Sequence, residues 1–190
     1  MTFSKVAKLP TKYGNFFVKA FKDGCQEHLA IMSEKFNSME IPNVRIHSEC
    51  LTGDTLGSLK CDCGNQIHLA LKYINQFGGL VIYHRQEGRN IGLVNKINAY
   101  HLQDKGLDTI EANRKLGFKD DERDYTSIAF ILKNLKVTKL NLITNNPEKI
   151  KFLKENGIVV VNRIKAITPS NIYNEKYLQT KKESMNHLLE

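Results

Sequence analysis

Cys50, Cys61 and Cys63 are spaced C-x10-C-x-C. Thiolates are soft ligands that suit zinc, and three protein ligands leave a fourth position for water. An open site of that kind is catalytic, because zinc lowers the pKa of its water toward neutrality. The same thiols make a closed structural site if His47 or His68 completes a set of four, and the spacing alone also allows no metal. Just before Cys50 runs His47-Ser48-Glu49. Zinc nucleobase deaminases carry a His-x-Glu pattern whose Glu moves protons, but they pair it with Pro-Cys-x-x-Cys, which this chain lacks. Glu49 fits a surface carboxylate, or a group behind a metal ligand, as well as it fits a general base. Cys25 stands apart in sequence and reads as a partly buried thiol without a chemical role.

The elements that must position these groups belong to a chain of 190 residues, enough for one well-buried domain and short for two. No apolar run approaches the length of a membrane span, and the first ten residues lack a continuous apolar signal core. The expected compartment is the cytoplasm, where four cysteines are not a disulfide framework. A net charge of +8 asks for anionic partners. The cations are spread along the chain without the basic stripe and interleaved aromatics of a nucleic-acid surface. That distribution suits a small polyanion such as a nucleoside triphosphate, with no nucleic acid and no membrane as partner. A basic nucleic-acid module with a structural zinc is the non-enzyme alternative, and it predicts salt-sensitive binding without turnover.

Phe16, Val18 and Ala20 alternate with more polar neighbours, Asp23-Gly24 supplies a turn, and His28 to Met32 returns as a second strand. In Val44-Arg45-Ile46-His47 the alternation sets Arg45 and His47 on the face opposite Val44 and Ile46. Ile67, Ala70, Leu71 and Ile74 then mark a helix ended by Gly78-Gly79, followed by the strand Leu80 to Tyr83. Val94, Ile97, Tyr100 and His101 suggest a second amphipathic helix, and Ile128, Ile131, Leu132 and Leu135 a third. The strand Leu140 to Ile143 leads into a helix start at Asn146-Pro147, and Ile158 to Val161 closes the pattern. The expected fold is α/β, a single domain with a mixed twisted sheet, flanking helices and an antiparallel β portion at the N-terminus. Residues 1–170 form the expected catalytic domain, and the polar residues 171–190 an expected loosely packed tail.

Five short stretches, in order, resemble the GTP cyclohydrolase II family: Arg45-Ile46-His47-Ser48-Glu49-Cys50-Leu51-Thr52-Gly53-Asp54, Lys60-Cys61-Asp62-Cys63-Gly64, His84 to Leu93, Asp121-Glu122-Arg123-Asp124-Tyr125, and Thr144-Asn145-Asn146-Pro147. The resemblance implies a homodimer, one zinc on Cys50, Cys61 and Cys63, magnesium with the triphosphate, and GTP as substrate. The product pyrimidine would enter riboflavin synthesis, with formate and pyrophosphate released. The resemblance also implies GTP contacts at Arg45, Ile46, His47, Ser48, Glu49, Gln66, Glu87, Gly88, Arg89, Thr109, Thr144 and Lys149, with Asp121 as proton acceptor and Arg123 as nucleophile on phosphorus.

The chemistry of that reaction adds two residues. Water must add at C8 of a stable purine and the formamide must then be hydrolysed, which calls for a proton carrier such as Tyr100. Guanine presents two adjacent donors that a carboxylate can accept, and Glu111 is a candidate, although a solvent-exposed helix Glu fits it equally. Arg45, Arg89 and Lys149 can supply charge to phosphates. Arginine has no free lone pair while protonated, so the chemistry of Arg123 favours stabilising charge on the α-phosphate over forming a bond to it.

Overall fold

The computed structural model describes residues 1–184, 187 and 188. Four strands open the chain: β1 (Thr2–Phe3), β2 (Ala7–Thr11), β3 (Gly14–Asp23) and β4 (Gln26–Ser33). β3 pairs antiparallel with each of the other three. Its turn into β4 is at Asp23-Gly24, with Gly24 at φ 56°, a conformation that costs glycine nothing. Cys25 lies in the same turn and is exposed rather than partly buried, since no second layer covers a hairpin tip.

The second half supplies β5 (Asn43–Ser48), β6 (Leu80–His84), β7 (Lys139–Ile143) and β8 (Val159–Ile164). These are parallel: β5 lies between β6 and β7, and β8 pairs with β7. β4 joins the halves by pairing antiparallel with β6, so the sheet runs β1-β3-β4-β6-β5-β7-β8 with β2 beside β3. The expected mixed α/β sheet with its antiparallel N-terminal part is present.

Seven helices complete the described chain: α1 (Leu51–Asp54), α2 (Cys63–Phe77), α3 (Gly92–Asp104), α4 (Thr109–Lys115), α5 (Thr126–Asn134), α6 (Pro147–Glu155) and α7 (Glu175–Ser184). α2 buries Ile67, Ala70, Leu71 and Ile74 in one core with Phe16, Ile31 and Val81. α5 buries Ile128, Ile131 and Leu132 in a second core with Val44, Ile46, Leu80 and Ile82. Each large aliphatic side chain so removed from water contributes about 2 kcal/mol. Because both faces of the sheet are covered, Arg45 and His47 are buried as well, 5% and 1% exposed, and therefore need polar partners.

Two expectations need correction. α3 exists, but it buries Lys96 and Ala99 while Val94 and Ile97 stay 75% and 48% exposed. An ionic attraction, described below, turns the helix and overrides its apolar stripe. The tail expected to pack loosely over residues 171–190 contains α7, whose Lys181 is 8% exposed, and is preceded by the fully buried Asn174. Residues 185, 186, 189 and 190 of that tail lie outside the described residues. Polar composition there accompanies ionic and hydrogen-bonded anchoring: Asn174 Oδ1 accepts from the Asn171 amide at 2.8 Å, and Lys181 reaches Asp62. No described helix is long and apolar enough to cross a membrane.

Candidate active site

The chain passes from β6 to β7 across β5, so the topological switch falls at β5, where open α/β sheets form a crevice beyond the carboxyl ends of their strands. The residues ending or following those strands, Ser48, Glu49, Cys50 and Thr144, line a cavity there. α2, α3, α4 and α6 complete its walls, and α7 adds Tyr177 and Lys181.

One side of the cavity carries the thiols. Cys50 and Cys61 sulfurs are 3.6 Å apart, and all three sulfurs lie within 4.8 Å of one another. Tetrahedral zinc with bonds of about 2.3 Å sets its sulfurs roughly 3.8 Å apart, so the donor set fits that ion. This Cys50, Cys61 and Cys63 group could hold a metal, and neither His47 nor His68 joins it. His47 is bound to Asp54, and His68 stacks on Tyr13 with centroids 5.0 Å apart. Two glycines allow the thiols to converge. A Cβ on Gly53 would stand 2.8 Å from Cys61 Sγ and 3.1 Å from Cys50 Sγ, and one on Gly64 would stand 2.4 Å from the Gly53 carbonyl oxygen. α1 and α2 therefore meet backbone to backbone.

Lys96 completes this side. Its Nζ donates to Cys50 Sγ at 3.1 Å and to Glu87 Oε1 at 2.7 Å, which is why α3 turns a lysine inward. Hydrogen bonds from the Cys61 and Cys63 thiols, with Lys96, hold the Cys50 thiol well below its ordinary pKa, while hydrogen bonding to Cys50 pushes Cys61 up to about 11. The Tyr100 hydroxyl stands 3.3 Å from Thr52 Oγ1, which is 3.7 Å from Cys50 Sγ. Burial raises the Tyr100 pKa, so the phenol keeps its proton.

The other side is cationic. Arg45 donates to the Ile143 carbonyl at 3.0 Å and also to Gln66 Oε1. Lys149, one turn into α6, donates to the Ile46 carbonyl at 2.8 Å. Burial, reinforced by Arg45 and Arg123, holds its pKa well below the ordinary lysine value. Arg123 pairs with Asp121 through Nη2 and, from Nε, at 2.8 Å, and gives Nη1 to Ser48 Oγ at 2.9 Å. Burial opposes its charge, yet Tyr125 and Asp121 raise its pKa above the ordinary arginine value. Arg89 sits at φ 60° between Gly88 at 60° and Asn90 at 73°, and its guanidinium donates to the Asp120 carbonyl at 3.0 Å. Non-glycine residues in that region are uncommon and concentrate at functional loops. Thr144 precedes α6, whose Asn146 cap accepts from the Glu148 amide at 2.8 Å.

Of the residues expected from the sequence, Arg45, His47, Ser48, Glu49, Gln66, Glu87, Gly88, Arg89, Tyr100, Thr109, Arg123, Thr144 and Lys149 line this cavity with the three cysteines. Burial pushes the Glu49 carboxyl up against the pull of Arg85, whose Nε donates to it at 3.1 Å. Three residues stand elsewhere. Ile46 has its side chain in the core and offers only its carbonyl to Lys149. Asp121 backs Arg123 from outside the lining. Glu111 closes the capping box of α4, accepting from the Asp108 amide at 2.9 Å. Sequence reasoning assigned no role to Lys96, Asp54, Gly53 or Lys181. Asp54 binds His47 Nε2 at 3.0 Å, the Tyr83 hydroxyl at 2.8 Å and the Cys50 amide at 3.0 Å, fixing the end of β5 to α1. Its place in the Thr-Gly-Asp run after Cys50 was the available signal; Lys96 and Lys181 have none.

A sheet switch point thus brings a three-thiol cluster and buried cations into one cavity. The chain belongs to the GTP cyclohydrolase II family, whose sequence profile matches residues 3–165. It is 59% identical over 187 residues to GTP cyclohydrolase-2 of Campylobacter hominis, covering 98% of this chain and 95% of that one. The corresponding protein of Campylobacter fetus is 55% identical over 188 residues, with 98% and 95% covered. That of Helicobacter pylori strain 26695 is 51% identical over 190 residues, with 98% and 97% covered. The chain is accordingly an enzyme, a hydrolase of this family.

Proposed function

We propose that the chain hydrolyses GTP at two places, opening the guanine imidazole ring and cleaving between the α and β phosphates. One water opens the ring at C8, a second hydrolyses the formamide to formate, and a third releases pyrophosphate. The remaining product is 2,5-diamino-6-ribosylamino-4(3H)-pyrimidinone 5′-phosphate, the start of riboflavin synthesis. The observation that carries the reading is one cavity holding both a three-thiol cluster and the cations Arg45, Arg89, Arg123 and Lys149.

Cys50, Cys61 and Cys63 would hold zinc, which supplies Lewis acidity and lowers the pKa of water. Tyr100, its phenol protonated and close to the thiols through Thr52, gives and retakes a proton as the ring opens. Glu49, its carboxyl raised by burial, is the second proton carrier. The N-terminus of α6 beside Thr144 faces phosphate oxygens, and Lys149 regains its charge against them. Asp121 holds the proton on Arg123 by pairing with it, so Arg123 clamps the α-phosphate charge while pyrophosphate leaves. A nucleophilic Arg123 would need that proton removed.

Magnesium on the triphosphate, a homodimer and a cytoplasmic setting come with the family. The exposed Leu93, Val94 and Ile97 of α3 support the dimer, since neighbouring apolar residues on one helix suit a partner surface. Replacing a thiol tests the chemistry. Cys61→Ser is expected to lose zinc and formate release together, while pyrophosphate release persists in part because the cations are untouched. A zinc-free variant making formate at the parent rate would sink the metal's role.

A further inference from the structure

Lys181 lies on α7, beyond residue 165, where the family match ends. Its ammonium is nevertheless inside the cavity, 2.8 Å from Asp62 Oδ1, and both side chains are buried, 11% and 3% exposed. Asp62 sits between the thiols Cys61 and Cys63 and uses its other oxygen to accept from Gln66 Nε2 at 2.5 Å. Gln66 Oε1 accepts from Arg45, whose second nitrogen is held by the Ile143 carbonyl. A continuous hydrogen-bonded arm therefore runs Lys181–Asp62–Gln66–Arg45, from the last helix to a cation of the cavity. Beyond α7, the Leu188 amide donates to the Asn145 carbonyl at 2.8 Å.

A buried carboxylate beside a metal site needs a counter-charge, and truncating one partner of such a pair leaves the other uncompensated. Without Lys181, Asp62 would be drawn to the next available cation, Arg45, through the amide of Gln66, and the guanidinium would leave its place against the nucleotide. Fixing a charged group before the substrate arrives lowers the ordering cost of binding.

We propose that Lys181 is a positioning residue for nucleotide binding, acting through Asp62 and Gln66 to hold Arg45 in the cavity. This rests on the GTP reading above. The test is binding of α,β-methylene-GTP, which resists cleavage between the α and β phosphates, by the zinc-loaded full chain, read by stopped-flow before the ring opens. Lys181→Met keeps the apolar stem and removes the charge; it is expected to weaken binding about tenfold with zinc content unchanged. Lys181→Arg restores the pair and should return binding to within about threefold of the parent. Lys181→Gln keeps a donor for Asp62 and is expected to fall between them, and it serves if the Met variant does not fold. Asp62→Asn combined with Lys181→Met should bind no more weakly than the worse single variant, since the two act on one arm. Parent-like binding by both Lys181→Met and Lys181→Gln would overturn the proposal, as would losses that multiply in the double variant. Formate release from GTP by the parent is measured alongside, so failure of the functional reading is told apart from failure of the arm.

Discussion

Arg123 has its guanidinium between Asp121 and Ser48, with the Tyr125 ring 5.4 Å from its central carbon. Its surroundings favour the charged form, which supports the proposed electrostatic role. Charge stabilisation predicts that Arg123→Lys keeps some activity, because the charge survives without the planar fork, whereas Arg123→Ala loses on the order of 10²–10³ in kcat. Zinc content stays at the parent level in both. Rapid quenching with α-labelled GTP and intact-protein mass measurement should find no label on the protein; label on Arg123 at a competent rate would make it the nucleophile. Lys96 teaches the complementary lesson at this scale. Nothing in its sequence neighbourhood distinguishes it from the many solvated lysines, yet it stands 3.1 Å from Cys50 Sγ and 2.7 Å from Glu87. Its role follows from a contact 46 residues distant in the chain, which no local spacing records.

Among the elements, α1 and α2 bring Cys50 to the Cys61–Cys63 pair by touching at Gly53 and Gly64. A methyl at residue 53 meets the Cys61 and Cys50 sulfurs at 2.8 and 3.1 Å, so Gly53→Ala is expected to spread the cluster. Zinc per chain after dialysis should fall well below the parent, and overpacking should cost about 1–3 kcal/mol of stability. Full zinc retention and parent stability in Gly53→Ala would contradict the close approach. The helices and strands that bury a regular apolar face were legible in sequence: the α2 stripe Ile67, Ala70, Leu71 and Ile74 is the face that packs on the sheet. α3 was legible as a helix but not in its orientation, because one buried ion pair outweighed Val94 and Ile97. Glu111 read as either a surface residue or a guanine acceptor, and the structure finds it completing the cap of α4 beginning at Asp108. A capping box has its own sequence signature, Asp108 followed three residues later by Glu111.

At the scale of the whole molecule, the two-sided burial of the sheet places neutral histidines inside it. His84 at the end of β6 is fully buried beside His28, with ring centroids 4.8 Å apart, and burial followed by the charge of His28 lowers its pKa from 6.5 to about 3. Between those values the unfolded chain binds a proton that the folded chain refuses, so stability is intact above pH 6.5 and falls as the pH drops. Urea unfolding at pH 7 and pH 5 should show the parent losing about 2 kcal/mol more than His84→Gln. Equal losses would mean that His84 titrates normally when folded. The mixed sheet and the order of its motifs could be read from alternation and punctuation, whereas α7 could not, since it is held by Lys181–Asp62 across 119 residues and not by an apolar face. The central claim, that one cavity joins ring opening to phosphate cleavage, is tested most directly by product analysis. Zinc-loaded protein incubated with GTP and magnesium should release formate and pyrophosphate in equal amounts with the ribosylaminopyrimidine phosphate. Ammonia without formate, or bound GTP that never turns over, would contradict it.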